Sequence, residues 1–530
     1  MREFTASLRN NISRGLRKDD RHGRNSGFCT RYQNIRPLAL GDGDFTPSTF
    51  TPIDDPFASG YLTAQGITVG HPFPQVFKGK GVTYLLEATK IYTITEGANW
   101  TVTQLTTYDG YAEGTAKAIT GSGSWHMADF GDSFAFFNGT STVFKTNRLG
   151  MFGGTSSTLV VNDVTVNTGC EFRGRMIMGG FNSSNFWNDH WENFLRDLHD
   201  NGLGISFPTA PGTNYVCWSP IGRDGFWLFY PHDAISGLID DDENTVFAES
   251  KARLFEMIEQ NEFGFMPMDW QGTVRRVLPL GNGVMVYGDN GITYMPKRET
   301  TFGKEEILSY GIESRSAVGG TDKEHVFVDE AGWLWRMSAG EGPRRLGYRE
   351  FFEDMIGNDI TVSYDPVEDE YHISDSAICF VLTRDDNCYE STFLVTSTAV
   401  DAGGTAGVYE RPGNADDAYA IMETDNIDMG VRGIKSIERI ILSCTNTGTT
   451  TVAVDWRYKT SDSWSRTLYS IINNEGVAHL KVSGLEFRII VRCTDYTKLD
   501  IDNVQVQFKT DDKRIIRGTY ALENVARTGQ

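Results

Sequence analysis

The chain has 530 residues, a mass of 59.1 kDa and a formal net charge of −21. This length exceeds what one ordinary hydrophobic core serves, so two to four domains are expected. Charged residues make up 22% and aromatic residues 12% of the sequence, with 56 glycines, which favours turn-rich β structure over disorder or a helical bundle. Such an acidic chain is a poor candidate for a protein that wraps DNA by neutralising its phosphates.

Basic residues are concentrated at the amino-terminal end. Residues 1–36 contain nine Lys or Arg against three acidic side chains, a balance of +6, so the rest of the chain carries −27. Residues 1–65 show little apolar periodicity and predict a basic, extended arm. This arm is either a flexible tail or a clasp on a neighbouring subunit. The candidate partner-docking side chains are those of its densest basic stretch, Arg14, Arg17, Lys18, Arg21 and Arg24.

The cysteines and the first residues bear on the compartment. Seven cysteines are scattered along the chain without a CxxC pair or zinc-ligand spacing, which favours reduced thiols in a protein made in a cytosol. Residues 1–20 lack the apolar core of a signal peptide, and no run approaches the roughly 18 apolar residues of a membrane span.

A repeated pattern of paired apolar runs extends over residues 66–402. In its most regular part, the runs 284–287 and 292–295 flank Gly288-Asp-Asn-Gly291, where the Asn-Gly step predicts a tight turn with positive φ. A second hairpin, with its turn at 329–332, follows after about 42 residues. Spacings of about 40 to 60 residues are typical of four-stranded propeller blades. The predicted fold is therefore mainly β, with a β-propeller body whose comparable strands start near residues 82, 133, 172, 226, 284, 325 and 371.

Other elements interrupt or follow this body. Amphipathic stretches predict inserted helices near 189–199 and 247–258, and a shorter helix at 349–355. Gly- and Pro-containing residues 403–425 predict a linker. A C-terminal antiparallel β-sheet domain and tail is predicted for 426–530, because apolar and polar residues alternate in four segments, 437–442, 451–456, 485–492 and 501–508.

The sequence offers no catalytic, cofactor-binding or metal-ligating constellation. It has no HExxH or HxH pattern, no G-x-S-x-G elbow, no P-loop and no Rossmann glycine triad in a strand-turn-helix setting. Asp329-Glu-Ala-Gly-Trp333 is only loosely similar to the S-x-D-x-G-x-x-W box of sialidase propellers and is interpreted as a turn followed by core aromatics. The histidines at 126, 325 and 372 are interpreted as packed or edge residues of strands. We therefore predict that the chain is not an enzyme and uses no cofactor or metal.

Paired carboxylates are the remaining catalytic alternative. Glycoside hydrolysis needs two carboxyl groups on opposite sides of one bond. The acidic groups at 240–243, 368–370 and 385–386 are interpreted as solvated loops, because chance pairs are expected among 70 acidic residues.

One succession of motifs over residues 281–382 is specific enough to compare with a known family. It consists of the VMVYGDNGITYM hairpin, Ser309-Tyr-Gly-Ile312, the EHVFVDEAGWLWRM hairpin, a short helix near Glu350-Phe-Phe-Glu353 and the strand pair in TVSYDPVEDEYHI. This succession resembles the tail nozzle proteins, also called tail hub or tail accessory proteins, of short-tailed bacteriophages. Asn34-Ile-Arg-Pro37 and Trp456-Arg-Tyr458 are also similar in kind to the arm and terminal strands of that family.

The resemblance implies a structural virion protein, made in the host cytoplasm and located in the virion tail. It would form a ring, expected to be a hexamer, below the portal and adaptor proteins and next to tail fibre or spike proteins. The ring would extend and close the DNA channel and take part in DNA retention and ejection. Genomic DNA would pass through the lumen without specific binding, because an acidic wall repels phosphates.

Two alternatives belong to other functional classes. The first is a glycan-binding or glycan-degrading propeller, such as a virion depolymerase, which the 11 tryptophans and the many carboxylates favour. The second is a receptor-binding adhesin whose aromatic side chains line an exposed tip.

Overall fold

A computed structural model describes the fold in many segments of the chain. The described residues are 2–8, 15–17, 28–37, 46–47, 75–79, 82–86, 89–95, 101–104, 108–110, 118–121, 124–130, 133–146, 159–162, 165–181, 212–219, 221, 264–299, 301–366, 369–375, 377–391, 399–400, 406–407, 420–431, 433–444, 449–494, 501–510 and 525–527. Within them the fold is mainly β, with 40 strands and one short α-helix. The prediction of a mainly β fold is therefore confirmed.

The chain divides into two compact units. Unit 1 comprises Met1–Pro52, Glu368–Leu394 and Tyr409–Gln530, and unit 2 comprises Ile53–Val367 and Val395–Val408. Strands are numbered in chain order. Those of unit 1 are β1 (Arg2–Ser7), β2 (Cys29–Gln33), β3 (Ile35–Arg36), β4 (Thr46–Pro47), β27 (Glu370–Ser374), β28 (Cys379–Leu382), β29 (Cys388–Ser391), β32 (Ala420–Thr424), β33 (Lys435–Cys444), β34 (Thr450–Arg457), β35 (Ser465–Arg466), β36 (Ser470–Ile471), β37 (Val477–Gly484), β38 (Glu486–Cys493), β39 (Ile501–Thr510) and β40 (Val525–Arg527).

Unit 2 holds the remaining strands and the helix. They are β5 (Gln75–Gly79), β6 (Val82–Leu86), β7 (Ile91–Thr95), β8 (Thr101–Gln104), β9 (Tyr108–Gly110), β10 (His126–Asp129), β11 (Ser133–Phe137), β12 (Thr142–Thr146), β13 (Leu159–Asn162), β14 (Val166–Phe172), β15 (Arg175–Phe181), β16 (Tyr215–Trp218), β17 (Gly264–Pro267), β18 (Val274–Leu280), β19 (Gly283–Gly288), β20 (Ile292–Pro296), β21 (Glu305–Leu308), β22 (Val318–Gly320), β23 (Glu324–Val328), β24 (Leu334–Ser338), β25 (Arg344–Gly347), helix α1 (Arg349–Phe352), β26 (Thr361–Asp365), β30 (Ala399–Val400) and β31 (Ala406–Gly407).

Five successive sheets account for most strands of unit 2. Four of them are antiparallel and keep chain order, namely β5–β6–β7–β8, β14–β15–β16–β17, β18–β19–β20–β21 and β22–β23–β24–β25. The remaining sheet, which is the second along the chain, has the order β10–β11–β12–β13–β9, in which β9 pairs in parallel with β13. Short connections produce most of this arrangement, because a tight turn can only join neighbouring antiparallel strands. In the third sheet, β15, β16 and β17 are instead joined by the long stretches 182–214 and 219–263.

The core of unit 2 lies between successive sheets. Tyr84 of the first sheet packs against Phe134 of the second, with ring centroids 5.1 Å apart. Tyr287 of the fourth packs against Phe327 of the fifth at 5.5 Å. Such aromatic pairs add about 0.5–1.5 kcal/mol each beyond the burial of their area. Some first strands of these sheets also approach one another, since β10 contacts β14 and β14 contacts β18. The first strand of the fifth sheet, β22, contacts β26.

The hairpin predicted around residues 288–291 forms, as β19 and β20, but its turn differs from the prediction. Gly288 N–H donates to the Gly291 carbonyl at 2.9 Å. Neither Asn290 nor Gly291 has a positive φ, so that part of the prediction is wrong. The two glycines are required for another reason. The Trp270 ring packs directly on both, and a Cβ at either position would overlap it.

The other predicted elements fall into two groups. The hairpins β6–β7, β10–β11–β12, β14–β15 and β23–β24 form, and the predicted short helix is α1, which buries Phe351 and Phe352. The predicted helices near 189–199 and 247–258 lie outside the described residues, as does the strand predicted to start near 226.

Unit 1 joins strands from both ends of the chain. One sheet has the order β37–β33–β39–β1–β40. The strands of the larger mixed sheet that belong to this unit run β27–β28–β29–β2–β32–β38–β34–β35, with β2 parallel to β29. The described pieces of the predicted arm thus supply strands β1 to β4, and the last residues of the predicted linker, 420–424, form β32.

Candidate assembly surface

The edge of the larger sheet of unit 1 is interrupted after β34. Both β35 and β36 pair with β34, and residues 467–469 leave the ladder between them. The Thr467 side chain fills the gap, because its Oγ1 accepts a hydrogen bond from Val454 N–H at 3.0 Å, while Thr467 N–H donates to the Val454 carbonyl at 3.0 Å. An interrupted edge resists strand-to-strand aggregation but can still present side chains to a partner.

Four large apolar side chains project from this edge. Their exposed fractions are 90% for Leu468, 67% for Ile471, 51% for Tyr458 and 38% for Tyr469. We call these four residues the edge patch. Leu468, Tyr469 and Ile471 fall within four residues of the same edge, and exposed apolar groups that occur together mark contact surfaces more often than isolated ones.

The base of the edge patch is held by charged pairs. Arg466 donates from Nε and Nη2 to the two carboxylate oxygens of Asp455, at 2.7 and 2.8 Å. Arg457 Nε donates to Glu486 Oε2 at 2.7 Å, and both of these side chains are buried. A surface held in one conformation loses less entropy on binding than a flexible one.

A tryptophan beside the edge patch contacts two arginines, Arg457 and Arg488. The Trp464 ring is 4.3 Å from Arg457 Cζ and 4.5 Å from Arg488 Cζ. Cation–π contacts of this kind contribute about 0.5–2 kcal/mol each. Tryptophan, tyrosine and arginine are also the residues most enriched at the energetic centres of protein interfaces.

The charges around the edge patch differ from those of the whole chain. Residues 456–472 contain three basic side chains and one acidic side chain, but Arg466 is paired with Asp455 and Arg457 with Glu486, so this edge is close to neutral whereas the chain carries −21. Hydrogen bonding to Asp455 raises the pKa of Arg466, so this guanidinium stays charged. The acidic surface of a second copy would therefore meet no like-charge barrier at this edge.

The predicted docking residues of the amino-terminal segment are placed only in part. Arg14, Lys18, Arg21 and Arg24 lie outside the described residues. Arg17 is half-buried in unit 1, and its guanidinium Cζ is 5.0 Å from the Phe28 ring centroid. Its backbone N–H donates to the Cys29 carbonyl at 2.8 Å.

Sequence reasoning missed the edge patch and one buried carboxylate. The Leu468-Tyr-Ser-Ile-Ile472 run has the composition of a core strand, so its exposure gives no signal in the sequence. Glu370, interpreted as part of a solvated loop, is only 2% exposed and accepts two hydrogen bonds from Arg36, at 2.6 and 3.2 Å. The three histidines interpreted as packed or edge residues, at 126, 325 and 372, are all buried.

Three further features of the described residues concern metals, membranes and thiols. None of their His, Cys, Asp or Glu side chains form a group of three able to hold a metal ion. No helix among them is long and apolar enough to span a membrane. The six cysteines whose side chains are described are buried and form no disulfide, and burial raises the pKa of the Cys29 and Cys217 thiols.

Comparison with known proteins adds little. No protein-family model and no curated protein matches the sequence. Among solved structures, PorZ, a surface component of the type-IX secretion system of Porphyromonas gingivalis, is 7% identical with a TM-score of 0.33; the match covers 74% of this chain but only 44% of PorZ. The WD40 β-propeller domain of Doa1 is 7% identical (TM-score 0.33, 66% of this chain and 87% of that one), and AztD from Citrobacter koseri is 9% identical (TM-score 0.31, 78% and 89%). TM-scores this low do not establish a shared function or family.

Proposed function

We propose that this protein is a structural subunit of the tail nozzle of a short-tailed bacteriophage. In this proposal it forms a ring, most simply a hexamer, that extends the DNA channel below the portal and adaptor proteins and closes it before ejection. It is not an enzyme and needs no cofactor. The proposal starts from the succession of motifs over residues 281–382, and the observation that carries it further is the edge patch of unit 1.

We also infer that the five sheets of unit 2 are blades of a β-propeller. The first strands of the second, third and fourth sheets contact one another in succession, as the inner strands of blades would. In addition, His126, on the first strand of the second sheet, lies with its Nε2 3.3 Å from Oγ of Ser316, just before the first strand of the fifth sheet. A contact between two non-adjacent sheets supports this inference, because first strands that converge on a common axis would bring such residues together.

The convergence has a consequence for the path of DNA. Around His126 and Ser316, Arg315 donates to the carbonyls of Ser124 and Asn167, so side chains fill the space between the first strands at this end. A duplex could not pass there. In the proposed ring, DNA therefore passes between copies of the chain, along their acidic surfaces, and not through the propeller of any one copy.

The edge patch supplies a contact between copies. It combines exposed apolar side chains with a base fixed by the Arg466–Asp455 pair, and its paired charges leave no strong negative charge to repel the acidic remainder of a second copy. A contact of unlike surfaces on successive copies is the type that closes into a ring.

The test is the oligomeric state of the full chain. We expect a ring in negative-stain images and in sedimentation velocity, and we expect the double variant Leu468→Ser/Ile471→Ser to shift it toward monomer without lowering its thermal midpoint. The matched control is Ile378→Ser, which removes a 40%-exposed isoleucine from the same unit.

Three outcomes would count against the proposal. A monomer at all accessible concentrations and in the presence of portal protein would exclude the ring. Cleavage of a capsular polysaccharide by the soluble chain would favour the glycan-active alternative. Intact rings in the double variant would leave a ring possible but remove the edge patch from it.

A further inference from the structure

Two sheets of unit 2 end in edge strands whose outer sides pair with no other strand among the described residues. β21 is the last strand of the fourth sheet and pairs with β20, and β25 is the last strand of the fifth sheet and pairs with β24. The outer side of such a strand presents backbone N–H and C=O groups that a further strand can bind. Each edge can therefore accept a strand from another molecule.

These two edge strands have the same burial pattern but opposite charge. β21 has the sequence Glu305-Glu-Ile-Leu308 and β25 has the sequence Arg344-Arg-Leu-Gly347. In both, the first two residues are exposed and the last two are half-buried. We call β21 the acidic edge and β25 the basic edge. Laid side by side in parallel register, each glutamate is opposite an arginine, and Ile307 is opposite Leu346. Residues directly opposite one another lie on the same face of a sheet, so unlike charges meet on both faces.

The charge of the acidic edge is not neutralised by its own sheet. Glu305 and Glu306 lie opposite uncharged side chains of β20, and neither carboxylate forms an ion pair with a described residue. The preceding basic residue, Lys304, is engaged elsewhere, because its Nζ donates to Asp269 Oδ1 at 2.5 Å. Both carboxylates are thus available to a partner.

The basic edge is oriented by two tryptophans. Cζ of the exposed Arg345 lies 4.6 Å from the ring centroids of both Trp333 and Trp335. Trp335 is itself fixed, because its Nε1–H donates to Asp329 Oδ2 at 2.8 Å. No described carboxylate forms an ion pair with Arg345, and a stacked guanidinium can still bind a carboxylate through the N–H groups at its rim. An arginine held in this way loses little conformational entropy on binding.

The charges determine which edges can pair. Two acidic edges, or two basic edges, would place like charges opposite one another, which is destabilising. Charged residues on edge strands commonly prevent aggregation between sheets in this way. Here the charges that prevent either edge from pairing with itself favour pairing of one edge with the other. A contact between such unlike surfaces is the type that can extend from copy to copy and close into a ring.

We propose that the acidic edge of one copy pairs in parallel with the basic edge of a second copy, so that a sheet of one copy continues into the other. This inference rests on the proposed ring, to which it adds a second contact besides the edge patch. The partner is a second copy because the chain itself carries a complementary strand of the same length and burial pattern. Backbone hydrogen bonds join the two strands, and the charged pairs select the partner and the register.

The first experiment reverses the charges of the two edges in the full chain. Association is measured by sedimentation velocity at low ionic strength, where charged contacts are least screened. Three variants are compared with the wild type, namely Glu305→Arg/Glu306→Arg, Arg344→Glu/Arg345→Glu and the combination of all four substitutions. The matched control is Glu330→Arg/Glu341→Arg, which reverses two exposed glutamates of the same unit outside both edges. Thermal unfolding of each protein shows that it is folded.

Reversal of one edge should weaken the association of copies by at least about tenfold, because like charges then face each other. The combined variant should recover most of the wild-type association, since the two edges are complementary again. The control should associate like the wild type, although its net charge changes by the same amount as that of the acidic-edge variant. Because Arg345 also packs on two tryptophans, the acidic-edge variant decides the result if the basic-edge variant does not fold.

The second experiment tests the register and keeps all four charges. Ile307→Cys and Leu346→Cys are mixed and treated with a short bismaleimide. Parallel pairing places these two positions opposite one another, so the mixture should give a cross-linked dimer that neither variant gives alone. The wild type measures the background from the native cysteines, of which the six with described side chains are buried.

Three results would overturn the inference. If association survives reversal of the acidic edge and the mixture gives no cross-link, this contact is absent while the proposed ring remains. If the control weakens association as much as the edge variants, the effect belongs to net charge. A wild type that stays monomeric at every accessible concentration and with portal protein present would exclude both this contact and the proposed ring.

Discussion

The Nε1–H of Trp335 donates a hydrogen bond of 2.8 Å to Oδ2 of Asp329 across the β23–β24 turn. The other carboxylate oxygen, Oδ1, accepts from the backbone N–H groups of Ala331 and Trp333, at 2.9 and 2.8 Å. Asp329 is only 2% exposed. One side chain thus closes the turn and orients the tryptophan that packs on Phe327 in the core.

Replacing Asp329 by Ala should lower the free energy of unfolding by about 2–5 kcal/mol, since three donors lose their acceptor and the indole N–H stays buried. Asp329→Asn should cost less, because its amide oxygen can still accept. Urea unfolding followed by tryptophan fluorescence measures the difference. The neighbouring exposed Glu330→Ala should change stability by less than about 0.5 kcal/mol; an equal loss there would contradict this account of the turn.

Replacing Gly291 by Ala should destabilise the β19–β20 hairpin by about 1–3 kcal/mol, because the new methyl group overlaps the Trp270 ring. The ring cannot easily retreat, as its Nε1–H donates to Thr293 Oγ1 at 2.9 Å. Gly342→Ala is the control, since no atom lies within 4 Å of its added Cβ. Equal unfolding midpoints for the two variants would show that the ring adapts.

The stability of unit 2 should fall in mild acid because of His325. This buried ring donates from Nε2 to the Pro279 carbonyl at 3.0 Å and lies with Nδ1 2.9 Å from the Tyr287 hydroxyl, so the neutral ring has a partner for both nitrogens. Burial, aided by Arg276, lowers the pKa of His325 from 6.5 to about 4.

The sign of the effect follows from which state binds the proton. Above pH 6.5 His325 is neutral in both states, and between 6.5 and 4 only the unfolded chain is protonated, so stability falls as the pH drops. The loss should reach about 2 kcal/mol at pH 5. Urea unfolding at pH 7.5 and 5 should show this loss in the wild type and in the exposed-site control His479→Gln, but not in His325→Gln. A loss of equal size in His325→Gln would assign it to other groups.

Arg36 should hold the amino-terminal strands of unit 1 through Glu370. Glu370 also accepts from the Tyr389 hydroxyl at 3.0 Å, so its carboxylate remains buried when Arg36 is removed. Arg36→Met should cost about 2–4 kcal/mol and expose residues 28–37 to proteolysis, because one partner of a largely buried pair is lost.

Two further variants check that assignment. Arg36→Met/Glu370→Gln should recover part of the loss, since no unpaired charge is left. Arg384→Met, which breaks an exposed contact of 3.7 Å with Asp369, should have little effect. Limited proteolysis and urea unfolding of the four proteins measure both quantities, and a double variant worse than Arg36→Met alone would contradict the pairing.

Local pattern alone determined many of the strands and hairpins, although strands such as β17, β18 and β37 were not predicted. Apolar runs separated by Asn, Asp and Gly specify a hairpin within some fifteen residues, because neighbouring strands pair through short connections whatever the rest of the chain does. The hairpins at 82–95 and 325–335 and the terminal strands β33, β34, β38 and β39 could therefore be located in advance. Dependence on local sequence also explains the wrong prediction of φ at 288–291. Gly288 and Gly291 are required by their contact with Trp270, which precedes the hairpin, and not by the turn itself.

What only the tertiary structure decided is which distant residues meet. Ser7 donates to Asn503 at 2.9 Å across 496 residues of sequence, so the amino-terminal strand is ordered by the last strands of the chain. Burial of Glu370 and exposure of Leu468 have the same origin. Each depends on contacts between segments far apart, and the free energy of such contacts leaves no periodic signal in the local sequence.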